Sequence, residues 1–214
     1  MSDTTQTSTP LPSTKPALVI DPALALLEFS SIAAGVQAGD AMVKRATLEV
    51  IHAGTVQPGR YLILIGGVVA EVEEAFKAGK EAAPDALLDH LFLPGVHGDV
   101  VKSLAGGRGS VGTDALGIVE TATVSAAIQA ADCGVKGAEV KLLEIRLADG
   151  LHGKGIVFFT GQVSDTEAAL ELIDKALTPA QKVRSVVIAQ LHDEMARILQ
   201  SGTRFAARLG WEQS

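Results

Sequence analysis

The sequence has one cysteine, few aromatic residues and an excess of negative charge, and these features exclude several classes of protein. Cys133 cannot form a disulfide within the chain, which fits a reducing cytoplasm. The net charge of −7 argues against a nucleic-acid partner, because such proteins need a basic surface that neutralises phosphates. No apolar run approaches the roughly 20 residues of a membrane span, and the N-terminus lacks the apolar core of a secretory signal. We therefore expect a cytoplasmic protein that binds neither nucleic acid nor membrane.

The sequence does contain an internal repeat. Residues 23–46 and 115–138 are identical at 10 of 24 aligned positions, including Glu28 with Glu120. A repeat of this length indicates a duplicated domain rather than a short solenoid unit. Hydrophobic residues make up 47% of the chain and aromatic residues only 4%, so each copy can build a core, mostly from Ala, Val, Leu and Ile.

The repeat continues with a changed spacing. Residues 59–67 match 153–161 at an offset of 94 rather than 92, and a third block, 90–97, matches 185–192. The second copy has therefore gained two residues before position 153. Because loops accept insertions and strands resist them, we predict that the copies differ most in the loop before this strand.

Each copy is predicted to fold in the order β-α-β-β-α-β-α, which gives an α+β protein of two tandem domains. We assign residues 23–105 to the first domain and 115–202 to the second. The glycine-rich segment 106–114 is predicted to be a flexible linker. Residues 1–22 are predicted to be a disordered tail because they are rich in Ser, Thr and Pro, and residues 203–214 form a C-terminal tail.

The first helix has a recognisable start and an apolar face. Ser30 or Ser31 is expected to cap it, and Ile32, Val36 and Val43 follow one another along one side at helical spacing.

Residues that could suggest chemistry are better interpreted as structural. His97 and His192 hold equivalent positions, and a duplicated position favours a shared structural bond over a single active site. Glu28 and Glu120 are each expected to accept hydrogen bonds within their own copy. Cys133 aligns with an alanine inside a helix, which predicts a small buried side chain rather than a redox group.

Motifs for catalysis, metals and phosphates are missing from the sequence. It has no HxH, HExxH or CxxC spacing, no glycine-rich phosphate loop and no Ser-His-Asp or Cys-His arrangement. We therefore predict no catalytic residues, no metal and no cofactor, and a protein that is not an enzyme.

The repeated blocks carry a family resemblance. The segments Gly-Asp-Ala-Met-Val-Lys, ending at Lys44, and Ala-Asp-Cys-Gly-Val-Lys, ending at Lys136, resemble those of bacterial microcompartment shell proteins, more narrowly the unpermuted tandem-domain type. The resemblance covers about residues 23–200. It implies a homotrimer whose six domains imitate a hexagonal tile. This tile would pack beside other shell proteins that form hexamers and pentamers, and would pass small polar metabolites through a central pore.

The resemblance also implies which residues line the pore and the tile edge. The implied pore-lining residues are Thr55, Val56, Gln57, Pro58 and Gly59 in the first copy and Asp149, Gly150, Leu151, His152 and Gly153 in the second. The family's edge lysine corresponds to Lys44 and Lys136. Some tandem relatives carry a cysteine in the first pore loop that helps to hold an iron–sulfur cluster, whereas this chain has Gln57, so no cluster is implied.

Two other functions stay open from the sequence. One is a soluble trimeric sensor that binds a small metabolite in clefts between domains. The other is a redox relay, which the missing loop cysteine disfavours. His152 has no counterpart in the first loop. It is interpreted equally well as a functional residue of the loop or as a merely solvated one.

Overall fold

The structure, a computed structural model, describes residues 23–111 and 114–204. The first domain consists of β1 (Ala23–Phe29), α1 (Ile32–Arg45), β2 (Val50–Val56), β3 (Arg60–Gly67), α2 (Val69–Ala82), β4 (Leu87–Leu93) and α3 (Gly98–Leu104). The second domain consists of β5 (Ala115–Thr121), α4 (Val124–Gly137), β6 (Lys141–Leu147), β7 (Gly155–Gly161), α5 (Val163–Ala176), β8 (Lys182–Ile188) and α6 (Asp193–Ser201). The predicted α+β order is confirmed in both copies. The predicted tail 1–22, part of the linker and most of the C-terminal tail lie outside the described residues.

Each domain is built on a four-stranded antiparallel sheet. The strand orders are β2-β3-β1-β4 and β6-β7-β5-β8. β1 is central and covered on both faces, so every one of its residues is buried. Because side chains alternate along a strand, Leu27 and Phe29 face the core under α1 and α2, while Leu24 and Leu26 face the opposite side of the sheet.

The first helix of each domain begins at a hydroxyl cap. The Oγ of Ser31 accepts a hydrogen bond from the backbone N–H of Ala34, and Thr123 does the same for Ala126. Such a cap stabilises a helix by about 1 kcal/mol. Of the two predicted caps, Ser31 is the correct one.

The apolar face predicted for α1 exists, but it points away from its own domain. Ile32, Val36 and Val43 are all exposed, and the opposite side of the helix packs on the sheet. That side is lined by small residues, which allow a close approach. A Cβ on Gly35 would lie 2.5 Å from Cδ1 of Tyr61 on β3. The helix therefore has two apolar sides, and periodicity alone did not reveal which one its own domain buries.

The two cores reach the same fold with compensating volumes. Met42 and Gly79 in the first domain correspond to Gly134 and Ile173 in the second. Met42 fills the space beside Gly79, whereas the ring of Phe159 and the side chain of Ile173 fill the space beside Gly134. Swaps that conserve total volume keep a core packed at little cost.

The domains share a continuous hydrophobic core. Helix α4 of the second domain packs against β1, β4 and α3 of the first, and α3 contacts β6. Buried residues of both domains, such as Leu91, Val100, Ile128 and Ile145, belong to this one cluster. We call this contact the domain junction.

Candidate functional site

The first predicted pore loop is a shorter turn than the sequence suggested. The implied loop began at Thr55, yet β2 continues through Thr55 and Val56, which pair with β3 in the sheet. Both of these are β-branched residues, which favour strands. Only residues 57–59 form the turn, and all three are exposed.

The second predicted pore loop is longer by two residues. The N–H of Ala148 donates to the carbonyl of Lys154 at 2.9 Å, which leaves five residues, 149–153, outside the ladder instead of three. The two-residue insertion therefore lies in this loop, where it was predicted. Ala148 and His152 have φ of 47° and 55°, a left-handed conformation that costs a non-glycine residue about 1–2 kcal/mol. Backbone strain of this kind concentrates at functional sites.

The two loops lie close together. Arg60, the residue directly after the first loop, donates from Nη1 to the carbonyl oxygen of Gly153 in the second loop, at 3.1 Å. The loops of both copies therefore lie at the same end of the molecule. Gln57, Asp149 and His152 are exposed there.

A buried carboxylate lies beside these loops. Glu28 is fully buried, and its Oε1 accepts a hydrogen bond from the N–H of Ser125 at 2.5 Å, near the start of α4. Its Oε2 has no hydrogen-bond partner among the described residues and lies 3.6 Å from Nη1 of Arg60. Burial raises the pKa of Glu28 to about 6, against the opposing effect of the Ser125 hydrogen bonds.

The sequence assigned Glu28 the wrong partner. We expected it to bond within its own copy, but its hydrogen bond crosses the domain junction. Its counterpart Glu120 does pair within its own copy, with Lys154 at 2.7 Å. The difference arises because α4 of the second domain covers Glu28, whereas no helix of another domain covers Glu120 among the described residues.

The duplicated histidines make the shared structural bond that the repeat predicted, and in both copies that bond caps a helix. Nδ1 of His97 accepts a hydrogen bond from the N–H of Asp99 at the start of α3, and Nδ1 of His192 accepts one from Glu194 at the start of α6.

The two predicted edge lysines make the same local pair in different surroundings. Lys44 pairs with Asp40 at 2.6 Å, and both side chains are exposed. Lys136 pairs with Asp132 at 2.5 Å and also donates to the carbonyl oxygen of Gly95 in the first domain. Lys136 therefore lies at the surface end of the domain junction.

The described part of the linker, residues 106–111, is anchored rather than loose. Nη2 of Arg108 donates to the carbonyl of Leu199 at 2.8 Å and to Glu144 at 3.0 Å. Gly109 donates to the carbonyl of Leu143 at 2.8 Å, and a Cβ on Gly109 would lie 2.6 Å from a neighbouring carbonyl oxygen. The glycine here permits close approach of two backbones, a role that composition does not distinguish from flexibility.

A cleft of about 740 Å³ lies between α3, the linker and the second sheet. A sensor of the kind left open by the sequence would bind its metabolite in such a cleft between domains. Two of the charges that line it, Lys102 and Asp99, bond to each other at 3.1 Å. It is therefore assigned no ligand.

Cys133 is half-buried on α4, and burial raises the pKa of its thiol. Within residues 23–111 and 114–204, no three histidine, cysteine or acidic side chains are grouped so that they could hold a metal ion.

Comparison with known proteins fits this duplicated architecture. A family model described as the BMC domain matches the chain twice, at residues 23–96 and 115–191. The bacterial microcompartment shell protein PduT of Citrobacter freundii is 37% identical over 181 residues, which are 84% of this chain and 98% of that protein. The chain belongs to the BMC-domain family of bacterial microcompartment shell proteins. As in the predicted tandem type, it carries two BMC domains.

Solved structures of shell proteins have the same fold. A microcompartment protein from Desulfitobacterium hafniense DCB superposes with a TM-score of 0.70 at 37% identity, covering 82% of this chain and 98% of that one. A fused permuted hexameric shell protein of the RMM microcompartment superposes with a TM-score of 0.52 at 21% identity, covering 75% and 83%. At that identity the second likeness concerns the fold alone. None of the helices in the described part of this shell protein is long and apolar enough to cross a membrane.

Proposed function

We propose that this shell protein forms a homotrimeric, six-domain tile of a microcompartment shell, with a central pore for small polar metabolites and no enzymatic activity. In the shell it packs beside other shell proteins. One observation carries the head-to-tail assembly: the surfaces that meet at the domain junction recur, uncovered, on α1 of the first domain and α6 of the second. The number of three chains follows from the family resemblance.

The uncovered surface of the first domain is the exposed face of α1. Ile32 and Val36 are 43% and 53% exposed, while their repeat counterparts Val124 and Ile128 are 1% and 0% exposed because they pack into the domain junction. Because these side chains are already about half-buried, completing their burial gains roughly 1 kcal/mol each. The exposed face of α1 can therefore pack against a domain of a second chain as α4 packs against the first domain within the chain.

The complementary surface is α6 of the second domain. Met195 is 46% exposed, whereas its counterpart Val100 on α3 is completely buried against the second domain. Helix α6 has no buried residue of its own. The end of one chain thus complements the beginning of another, and such a head-to-tail interface gives a ring when the rotation closes.

The pore is the second part of the proposal. Rings of loop residues around an axis set what a constriction passes. The loops that meet at Arg60 and Gly153 present Gln57, Asp149 and His152, which favour small hydrophilic solutes over apolar ones.

The trimer is tested by placing a charge on the uncovered face. Val36→Asp should give a folded monomer in light scattering at micromolar concentration, because assembly would bury an unpaired carboxylate. Val68→Asp is the matched control. Val68 is equally exposed, at 53%, but lies outside the α1 face, so this variant should remain trimeric. A wild-type protein that stays monomeric would refute the proposal.

A further inference from the structure

The two pore loops close on equivalent glycines that have different surroundings. Gly59 and Gly153 both take left-handed conformations, with φ of 87° and 79°. A Cβ on Gly153 would lie 2.9 Å from Nη1 and 3.0 Å from Cζ of Arg60, so the guanidinium packs directly on this glycine. At Gly59, apart from its two chain neighbours, no heavy atom of the described residues lies within 4 Å of that position. One loop is therefore covered by a cation and the other is open.

Arg60 is well placed to hold the loop that it covers. It opens β3 of the first domain and is mostly buried. On the side of its own domain, Nη1 lies 3.6 Å from the buried carboxylate of Glu28. On the side of the second domain, the same atom donates to the carbonyl of Gly153 at 3.1 Å, with the carbonyl of Ala122 at 3.5 Å. A guanidinium presents several fixed donors, so it can satisfy a carboxylate and a carbonyl together.

The repeat supplies a second cation in the same position. Lys154 corresponds to Arg60, and its Nζ pairs with Glu120, the counterpart of Glu28, at 2.7 Å. Both of these side chains are partly exposed. An ammonium has three donors, so the bond to Glu120 leaves two for another acceptor.

We infer that Arg60 positions the 149–153 pore loop, and that Lys154 positions the 57–59 pore loop of a second copy of the chain. The second half rests on the trimer proposed above. Each pore loop is then held by the cation that directly follows the equivalent loop of the preceding domain, and arginine and lysine alternate around the ring. The 149–153 loop is set within the chain, whereas the 57–59 loop is set only on assembly.

Amide hydrogen exchange of the wild-type trimer and of two matched variants, Arg60→Met and Lys154→Met, tests this inference. Leu151, Gly153 and Lys154 donate backbone hydrogen bonds within the second loop, and Gly59 donates to Val56 in the first, so both loops contain amides that can report. Arg60→Met should speed exchange of the 149–153 loop about tenfold and leave the 57–59 loop unchanged. Lys154→Met should do the reverse. Tenfold corresponds to the loss of one hydrogen bond to a charged group.

The conservative variant Arg60→Lys separates positioning from packing. It keeps the charge and an ammonium with three donors, so the 149–153 loop should recover most of its protection. Equal exchange of that loop in wild type and Arg60→Met overturns the first half, whatever the oligomer. Unchanged exchange of the 57–59 loop in a Lys154→Met trimer overturns the second half and leaves the trimer standing. A monomeric wild type overturns the second half together with the proposed assembly, while the Arg60 result still decides the first.

Discussion

Asp132 of α4 accepts a hydrogen bond from the backbone N–H of His97 at 2.8 Å, and so ties the second domain to the residue that caps α3 in the first. Asp132 is almost completely buried and also pairs with Lys136. One carboxylate thus satisfies a backbone donor of the other domain and a lysine of its own helix. Such charge-assisted bonds are stronger than neutral ones.

The repeat predicts the same bond between chains. Asp40 corresponds to Asp132, and His192 to His97, so Asp40 of one copy should accept from the N–H of His192 of the next. Asp40→Ala should weaken each of the three chain–chain contacts about tenfold, because the backbone donor loses a charged acceptor, and so raise the monomer–trimer dissociation constant about a thousandfold. Sedimentation over a dilution series measures this constant. Asp85→Ala, an exposed carboxylate in a turn, is the control and should match wild type.

Glu28 should make the stability of the protein depend on pH. An unfolded Glu titrates near 4.5, whereas the pKa of Glu28 in the folded protein is about 6. A raised pKa means that protonation stabilises the fold, fully below pH 4.5 and not at all once the pH has risen through 6. A difference of this size corresponds to about 2 kcal/mol.

The variant Glu28→Gln separates the free-energy cost of a buried charge at Glu28 from other effects of pH on stability. Its side chain can still accept from Ser125 without carrying a buried charge, so near neutral pH it should be more stable than wild type by about 2 kcal/mol. The difference should vanish below pH 4.5. Urea unfolding across this range gives the free energies. Glu120→Gln, at the partly exposed counterpart, should show no such gain, and equal behaviour of the two variants would contradict the assignment.

The sequence predicted the local structure well because the repeat supplied two readings of every element. A feature present in both copies, such as the capping histidines, could be interpreted as structural. A feature present in one copy alone could be recognised as specific to that copy. The inserted residues of the second loop were found in the same way, from a change in spacing.

What the sequence could not show was which surfaces meet. Ile32 and Val124 look alike in sequence, yet Ile32 is exposed and Val124 is buried, because among the described residues only Val124 has another domain to pack against. Glu28 and Glu120 differ for the same reason. In a duplicated chain, the burial of a side chain depends on which domain it belongs to as well as on the local pattern. A periodicity argument gives both copies the same answer and therefore misses this difference.

The edge lysines are expected to act between tiles. Lys44→Ala with Lys136→Ala should abolish the extended sheets or shells that overexpressed protein forms in electron micrographs, while trimers still form although the Lys136 bond to Gly95 is lost. Alanine is preferable to aspartate, since an aspartate at either position would lie one helical turn from Asp40 or Asp132 and repel it. Lys77→Ala, an exposed lysine of α2, is the control and should preserve the sheets. If the sheets survive the double substitution, the two lysines are ordinary solvated surface residues with no role between tiles.

The purified protein should hold no iron–sulfur cluster. Such clusters need several thiolates directed at one point. Each chain offers only Cys133, which is half-buried on a helix and whose thiol pKa is raised by burial. Absorbance near ~400 nm that bleaches on reduction would contradict this. Gln57→Cys should place three thiols around the axis and allow a cluster to be reconstituted, whereas Lys44→Cys, at the predicted rim, should not.

The position of the loops in the trimer decides whether they form a pore. A nitroxide label at Gln57→Cys, in a Cys133→Ala background, should give short distances between the three copies, since any residue near a threefold axis lies close to its two symmetry mates. A label at His152→Cys should also give short distances, because the two loops meet at Arg60 and Gly153. A label at Lys44→Cys should give the longest distances, because the family resemblance places Lys44 at the tile edge. Pulsed electron paramagnetic resonance measures all three distances. Loop distances as long as those from Lys44 would place the loops at the rim and refute the pore, even if the protein proves to be a trimer.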